Sequence, residues 1–168
     1  MAAPRILAFA GSTRTGSYNN SLVRIAAAGA EAAGAQVTVV DLRDYPMPLF
    51  DEDLEQEGTP QAALAFKQLL LEHDALLIAS PEYNSSITAV LKNAIDWASR
   101  SAPGEKPLAA FSGKVAALVA ASPGALGGLR GLVHLRAILG NIQVLVLPDQ
   151  IAVMRAHEAF TPEGELKD

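Results

Sequence analysis

RILAFAGSTRTGSYNNSL, residues Arg5–Leu22, joins an apolar run to a glycine loop and then to a polar helix start. Arg5–Ala10 carries almost no polar side chain, as a strand buried on both faces must. The loop that follows fits neither common phosphate motif. Thr13 stands where G-x-G-x-x-G needs its second glycine. Gly11 and Gly16 have the spacing of G-x-x-x-x-G-K-[ST], but Ser17 and Tyr18 replace the lysine and the hydroxyl that serve nucleotide phosphates and magnesium. What remains is a helix N-terminus with unpaired N–H groups, a partial positive charge, and hydroxyl and amide donors from Ser12, Ser17, Asn19 and Asn20. Arg14 adds a cation able to grip phosphate through two N–H groups. Without the lysine, this chemistry suits a terminal phosphate monoester better than a di- or triphosphate.

Outward from this unit the pattern repeats. Gln36–Asp41, Ala75–Ser80, Val115–Ala120 and Gln143–Leu147 are short apolar, β-branched runs. Helical spacing fills the gaps: Tyr18–Ala33 before Gly34, a helix opened by Thr59-Pro60 and running to about Glu72, Ile87–Arg100, and Leu126–Leu139. Alternating strands and helices with right-handed crossovers predict one doubly wound three-layer α/β domain over residues 1–168. Leu42–Gly58 reads as an ordered acidic surface connection. Phe160–Glu163 reads as the start of a further helix, with Thr161 as its cap, and the helix that would cover one face of the sheet is expected to be missing from the chain.

Ligands of such sheets bind beyond the carboxyl ends of the strands, where strand order reverses. Two further loops fall on that edge. In SPEYNSSI, Ser80–Ile87, Pro81 stiffens the chain and Tyr83 offers a flat face. Asn84, Ser85 and Ser86 offer polar contacts there. In ASPGALGGLRG, Ala121–Gly131, the density of glycine and proline lets backbone approach a ligand. A phosphate clamp beside a slot for a planar heterocycle points to flavin mononucleotide (FMN).

Composition narrows the chemistry. Half of the 168 residues are hydrophobic and 18% are charged, enough apolar surface for a buried core. A net charge of −5 disfavours nucleic acid as a partner. No apolar run approaches the ~20 residues that span a bilayer, and no signal peptide is evident at the N-terminus, so a cytoplasmic location is expected. With no cysteine, the sequence has no thiolate nucleophile and no Cys-ligated metal or cluster. His73, His134 and His157 show no ligand spacing, and His73 and His134 are expected on helix surfaces. Redox chemistry would therefore need a bound cofactor.

The motifs GSTRTGSYNNSL, SPEYNSSITAVLKNAIDWASR and SPGALGGLRGLVHLR resemble the NADPH-dependent FMN reductases, a flavodoxin-like group that includes chromate, quinone and azo-dye reductases. The resemblance implies a five-stranded parallel sheet of order 2-1-3-4-5. It implies FMN as cofactor, NADPH or NADH as hydride donor, and a small-molecule electron acceptor such as a quinone. By it, Ser12, Arg14, Ser17 and Asn19 would hold the FMN phosphate, with Tyr18 and Asn20 beside them. Pro81, Glu82, Tyr83 and Asn84, followed by Ser85, would line the ring, and Ser122 and Gly124 would close the other side. It also implies a homodimer or homotetramer, with the helix carrying Trp97 at a dimer contact or Trp97 in the core. Thr88-Ala89 departs from the Pro-Gly that the family commonly has at that junction. A non-enzymatic flavodoxin-type electron carrier is the alternative, though such carriers tend to be more acidic and richer in aromatics. A phosphorelay receiver is excluded, because Gly11-Ser12 and Ser80-Pro81 stand where it needs acids.

Overall fold

The computed structural model describes residues 2–167. Five parallel strands, β1 (Arg5–Ala10), β2 (Gln36–Val40), β3 (Ala75–Ala79), β4 (Val115–Ala121) and β5 (Leu145–Val153), form one sheet of order β2-β1-β3-β4-β5. This is the doubly wound topology expected from the alternating pattern. β1 is an inner strand that pairs on both sides, Leu7 with Thr38 and with Leu76, and its segment from Leu7 to Ala10 is buried.

Helix α1 (Tyr18–Ala32) lies on one face, burying Leu22, Val23 and Ala27 at helical spacing against Ala8, Leu77 and Val119. It closes at Gly34 with the crossed bonds of a Schellman motif, Ala35 N–H to Ala30 O and Gly34 N–H to Glu31 O. The other face carries α3 (Gln61–Glu72), α4 (Ala89–Ser99) and α5 (Leu129–Asn141) over the larger core of Leu7, Phe9, Phe66, Ile78, Leu91 and Leu132.

Several boundaries differ from the sequence reading. Asp41 does not extend β2, because its carboxylate turns back to accept from Arg43 N–H at 2.9 Å and caps a 3-10 turn, Leu42–Asp44. The acidic connection contains a short helix, α2 (Glu52–Glu57), capped by Asp51. β5 begins two residues later than expected and runs on to Val153. A register shift opposite Ala116–Leu118 absorbs the polar break Pro148–Gln150. No helix starts at Thr161. Instead α6 (Ala156–Ala159) precedes a turn closed by Thr161 N–H to Glu165 O and a Phe160–Leu166 bridge. On the α1 face, β5 leaves Leu145 and Ile151 exposed.

His73 is buried, bonding Leu69 O at 2.7 Å and Thr38 Oγ1 at 2.9 Å, so it is a core residue and not a surface one. Trp97 is 1% exposed within its own chain, with Nε1–H donating to Pro48 O at 2.8 Å and Phe50 packed edge-on at 4.9 Å. The indole is part of the core, the second of the two places expected for it.

Thr88 ties the fold to its loop edge. As N-cap of α4 its hydroxyl accepts from Leu91 N–H at 3.3 Å and donates to Gly11 O at 2.6 Å. Gly11 must be glycine here, since a Cβ would lie 2.9 Å from the Leu91 side chain. Thr88→Val removes both bonds at constant shape. It is expected to cost about 1–2 kcal/mol, read as a lower urea midpoint with unchanged slope.

Candidate functional site

The carboxyl ends of β1, β3 and β4 bring three loops together at one edge. Gly11 N–H donates to Ala79 O at 2.9 Å and Ser80 N–H to Val119 O at 2.9 Å, which seats the loop starts side by side. Between them lies a cleft of about 360 Å³. From the first loop it is lined by Ser12, Arg14, Ser17, Tyr18 and Asn19. From the second come Pro81, Glu82 and Tyr83, and from the third Ala121, Ser122 and Pro123. A larger groove of about 710 Å³ lies between β5 and Ala159–Lys167. The polar donors of the loops converge on the smaller cleft, so that is where an anionic ligand has partners.

The first loop offers an open anion cradle. Ser17 is the N-cap of α1, yet its hydroxyl makes no capping bond to the helix. The helix start therefore keeps its N–H groups and its partial positive charge free of a side-chain cap. Ser12 is buried, and its Oγ accepts from Arg14 N–H at 3.3 Å. The Arg14 guanidinium donates to Thr15 O at 3.2 Å and lies 5.8 Å over the Tyr18 ring. Among the described residues no carboxylate pairs with it.

Asn19 also joins two of the loops. Its side-chain amide donates to Ala121 O at 2.8 Å and its carbonyl accepts from Ala121 N–H at 3.0 Å. Both polar ends reach the last residue of β4, so Asn19 ties the first loop to the third while it lines the cleft. Asn20, on the next position of α1, is not among the cleft's lining residues.

In the second loop Tyr83 and Ser86 exchange backbone hydrogen bonds at 2.9 and 3.0 Å around Asn84 and Ser85. Both central residues have positive φ, 50° and 66°, which makes a type I′ turn. Asn84 and Ser85 form its tip, outside the cleft lining, while Tyr83 is 57% exposed beside it. The Glu82 carboxylate points to α5, where it meets Arg130 and the N–H groups of Arg130 and Gly131. Burial pushes its pKa up, but the Arg130 guanidinium and the two N–H groups outweigh burial and hold it below the usual carboxylate range.

In the third loop Ser122 Oγ accepts from Gly124 N–H at 3.2 Å. Gly124 is turned from the cleft toward Arg155, whose N–H donates to its carbonyl at 3.2 Å. Gly127, at φ 61°, lies against β5, and a Cβ there would fall 2.7 Å from Ala152 C. The sequence reading missed Ala121 and Pro123 as walls. Pro123 sat visibly in the third loop, but alanine has no chemistry to announce a role.

Among the described residues no cluster of three or more His, Cys, Asp or Glu side chains is placed to hold a metal ion, and no helix is long and apolar enough to cross a membrane.

Comparison with known proteins agrees with this geometry. The chain is 41% identical over 165 residues to an NAD(P)H-dependent FMN reductase of Pseudomonas aeruginosa, covering 98% of this chain and 85% of that protein. It is 42% identical over 170 residues to an NADPH:quinone oxidoreductase of Arabidopsis thaliana, covering 98% and 82%. Among solved structures, a flavoenzyme NAD(P)H:(acceptor) oxidoreductase of Paracoccus denitrificans superposes with a TM-score of 0.79 at 28% identity, over 99% of this chain and 87% of that one. All three are enzymes by name and not electron carriers. The family model described as NADPH-dependent FMN reductase matches residues 4–158, and the chain belongs to that family.

Proposed function

We propose that the chain is an FMN-dependent NAD(P)H oxidoreductase that passes electrons from NADPH or NADH to a small acceptor, with quinones, free flavin, chromate and azo compounds as the candidate classes. The observation that carries this reading is the start of α1, where Ser17 leaves the helix end uncapped and Arg14 has no acidic partner among the described residues. A phosphate monoester fits that donor set, and the cleft beside it has Tyr83 and Pro81 as flat walls for a ring.

FMN, when bound, supplies hydride acceptance and onward electron transfer. The protein's own work is then binding and orientation. Ser12, Ser17 and Arg14 hold the phosphate, Asn19 fixes the loop that presents them, and the turn at Tyr83 bounds the ring. No side chain in the cleft need act as nucleophile or general base. Donor and acceptor would use the same open slot in turn, so steady-state rates at several quinone concentrations should give parallel double-reciprocal lines. Intersecting lines would rule out the shared slot. A homodimer or homotetramer acting in the cytoplasm completes the reading.

Arg14 gives the direct test of the phosphate assignment. Arg14→Ala is expected to weaken FMN about tenfold or more, by 1.4 kcal/mol or more. Riboflavin, which lacks the phosphate, should bind the variant as it binds the native chain. Titration of flavin fluorescence reads both. Equal losses for the two flavins would place the phosphate elsewhere.

A further inference from the structure

The turn that carries Tyr83 has a serine at a position that glycine usually takes. Asn84 and Ser85 both lie at positive φ, a region that asparagine enters readily but serine rarely does without surrounding structure to hold it there. The hold comes from α5. Glu82 Oε2 accepts from Arg130 N–H at 3.0 Å and from Gly131 N–H at 3.2 Å. Its Oε1 accepts from Arg130 Nε–H at 2.8 Å and from Nη2–H at 2.5 Å. At the other end of the turn, Ser86 Oγ and His134 Nδ1 are hydrogen-bonded at 2.9 Å. Glu82 is 8% exposed at its side chain, while Arg130 is 57% exposed, so the carboxylate is the fixed partner. Gly131 allows the approach, since a Cβ there would lie 3.2 Å from Ser86 O.

The two helix starts at this edge are thus treated oppositely. α1 is left open, and α5 is closed by a carboxylate from the neighbouring loop. We propose that Glu82 is a positioning residue which, through Arg130 and the first N–H groups of α5, fixes the Tyr83 turn and so sets affinity for the flavin ring independently of its phosphate. The proposal rests on the flavin reading above. It gives Glu82 a different part from the ring contact that the family resemblance implied: the side chain acts through the turn.

The test compares Glu82→Gln with the native chain. A glutamine can still accept from the two backbone N–H groups but loses the charge-assisted bonds to Arg130. FMN and riboflavin should both weaken by the same factor, about tenfold, and the visible circular dichroism of the bound flavin should change. In ligand-free protein the Tyr83 and Ser86 amides should exchange with solvent about tenfold faster, a readout independent of activity. Arg130→Met keeps the backbone N–H groups and should move every readout the same way by less, which serves if Glu82→Gln folds poorly. Unchanged binding of both flavins, or a loss confined to FMN, would overturn the clamp alone. A native chain that binds neither flavin would overturn the flavin reading and the clamp with it.

Discussion

Asn19→Asp is expected to destabilise the protein by about 2–4 kcal/mol and to weaken FMN binding more than riboflavin binding. The substitution keeps the side chain's shape and changes one group. Asn19 is 4% exposed, and its amide donates to Ala121 O while its carbonyl accepts from Ala121 N–H. An aspartate keeps the acceptor and loses the donor, leaving a buried carboxylate oxygen facing a backbone carbonyl. Both effects of the new charge follow from its place in the first turn of α1. The helix itself tolerates a negative charge there, which offsets a small part of the cost. A bound phosphate does not, because at an effective dielectric constant near 20 two like charges several ångströms apart repel by roughly 2–4 kcal/mol. Urea unfolding of the ligand-free protein measures the first effect, and paired titrations with FMN and riboflavin measure the second. A variant with native stability would mean that the Asn19–Ala121 pair does not tie the loops together.

Phe66→Ala is expected to cost more, about 3–5 kcal/mol. Phe66 is 1% exposed on α3, edge-on to Phe9 of β1 at 5.3 Å and against Tyr45 at 5.7 Å. It joins the helical layer, the central strand and the connection after β2 at one point. Domains of this size are stable by about 5–15 kcal/mol, so the loss is a large share of the total. A fall of about 10 °C in the thermal midpoint is the corresponding readout. The cleft lies at the strand ends and not at this packing point, so the FMN-to-riboflavin affinity ratio should stay at its native value. A changed ratio would tie the larger core to the phosphate cradle more closely than the loop bonds indicate.

The fold was legible because its strands announce themselves. Leu7, Leu76 and Leu118 sit in runs too apolar to have a wet face, and β-α alternation leaves little choice of topology. Where the reading stopped short, a local signal competed. Pro148-Asp149-Gln150 looked like the end of β5, but a register shift lets an edge strand absorb a polar break. Thr161-Pro162 looked like a helix cap, and the Thr161–Glu165 bond makes a turn of it.

The candidate site was legible as chemistry but not as allocation. Sequence shows that Asn19 and Glu82 are polar and stand in the right loops. It cannot show that the first is spent on Ala121 and the second on α5, because partners at sequence separations of 102 and 48 are set only by the folded chain. Arg14 is the simpler case, because its guanidinium bonds only the adjacent Thr15 O and no long-range partner claims it among the described residues.

The most direct measurement of the protein's activity is anaerobic. Purified protein is mixed with FMN, NADPH is added, and the visible absorbance of the flavin is followed against a protein-free control. The flavin-reductase assignment predicts bleaching that depends on the protein, with recovery when a quinone is added. FMN that stays bound through a desalting column yet is not bleached by NADPH or NADH would contradict it.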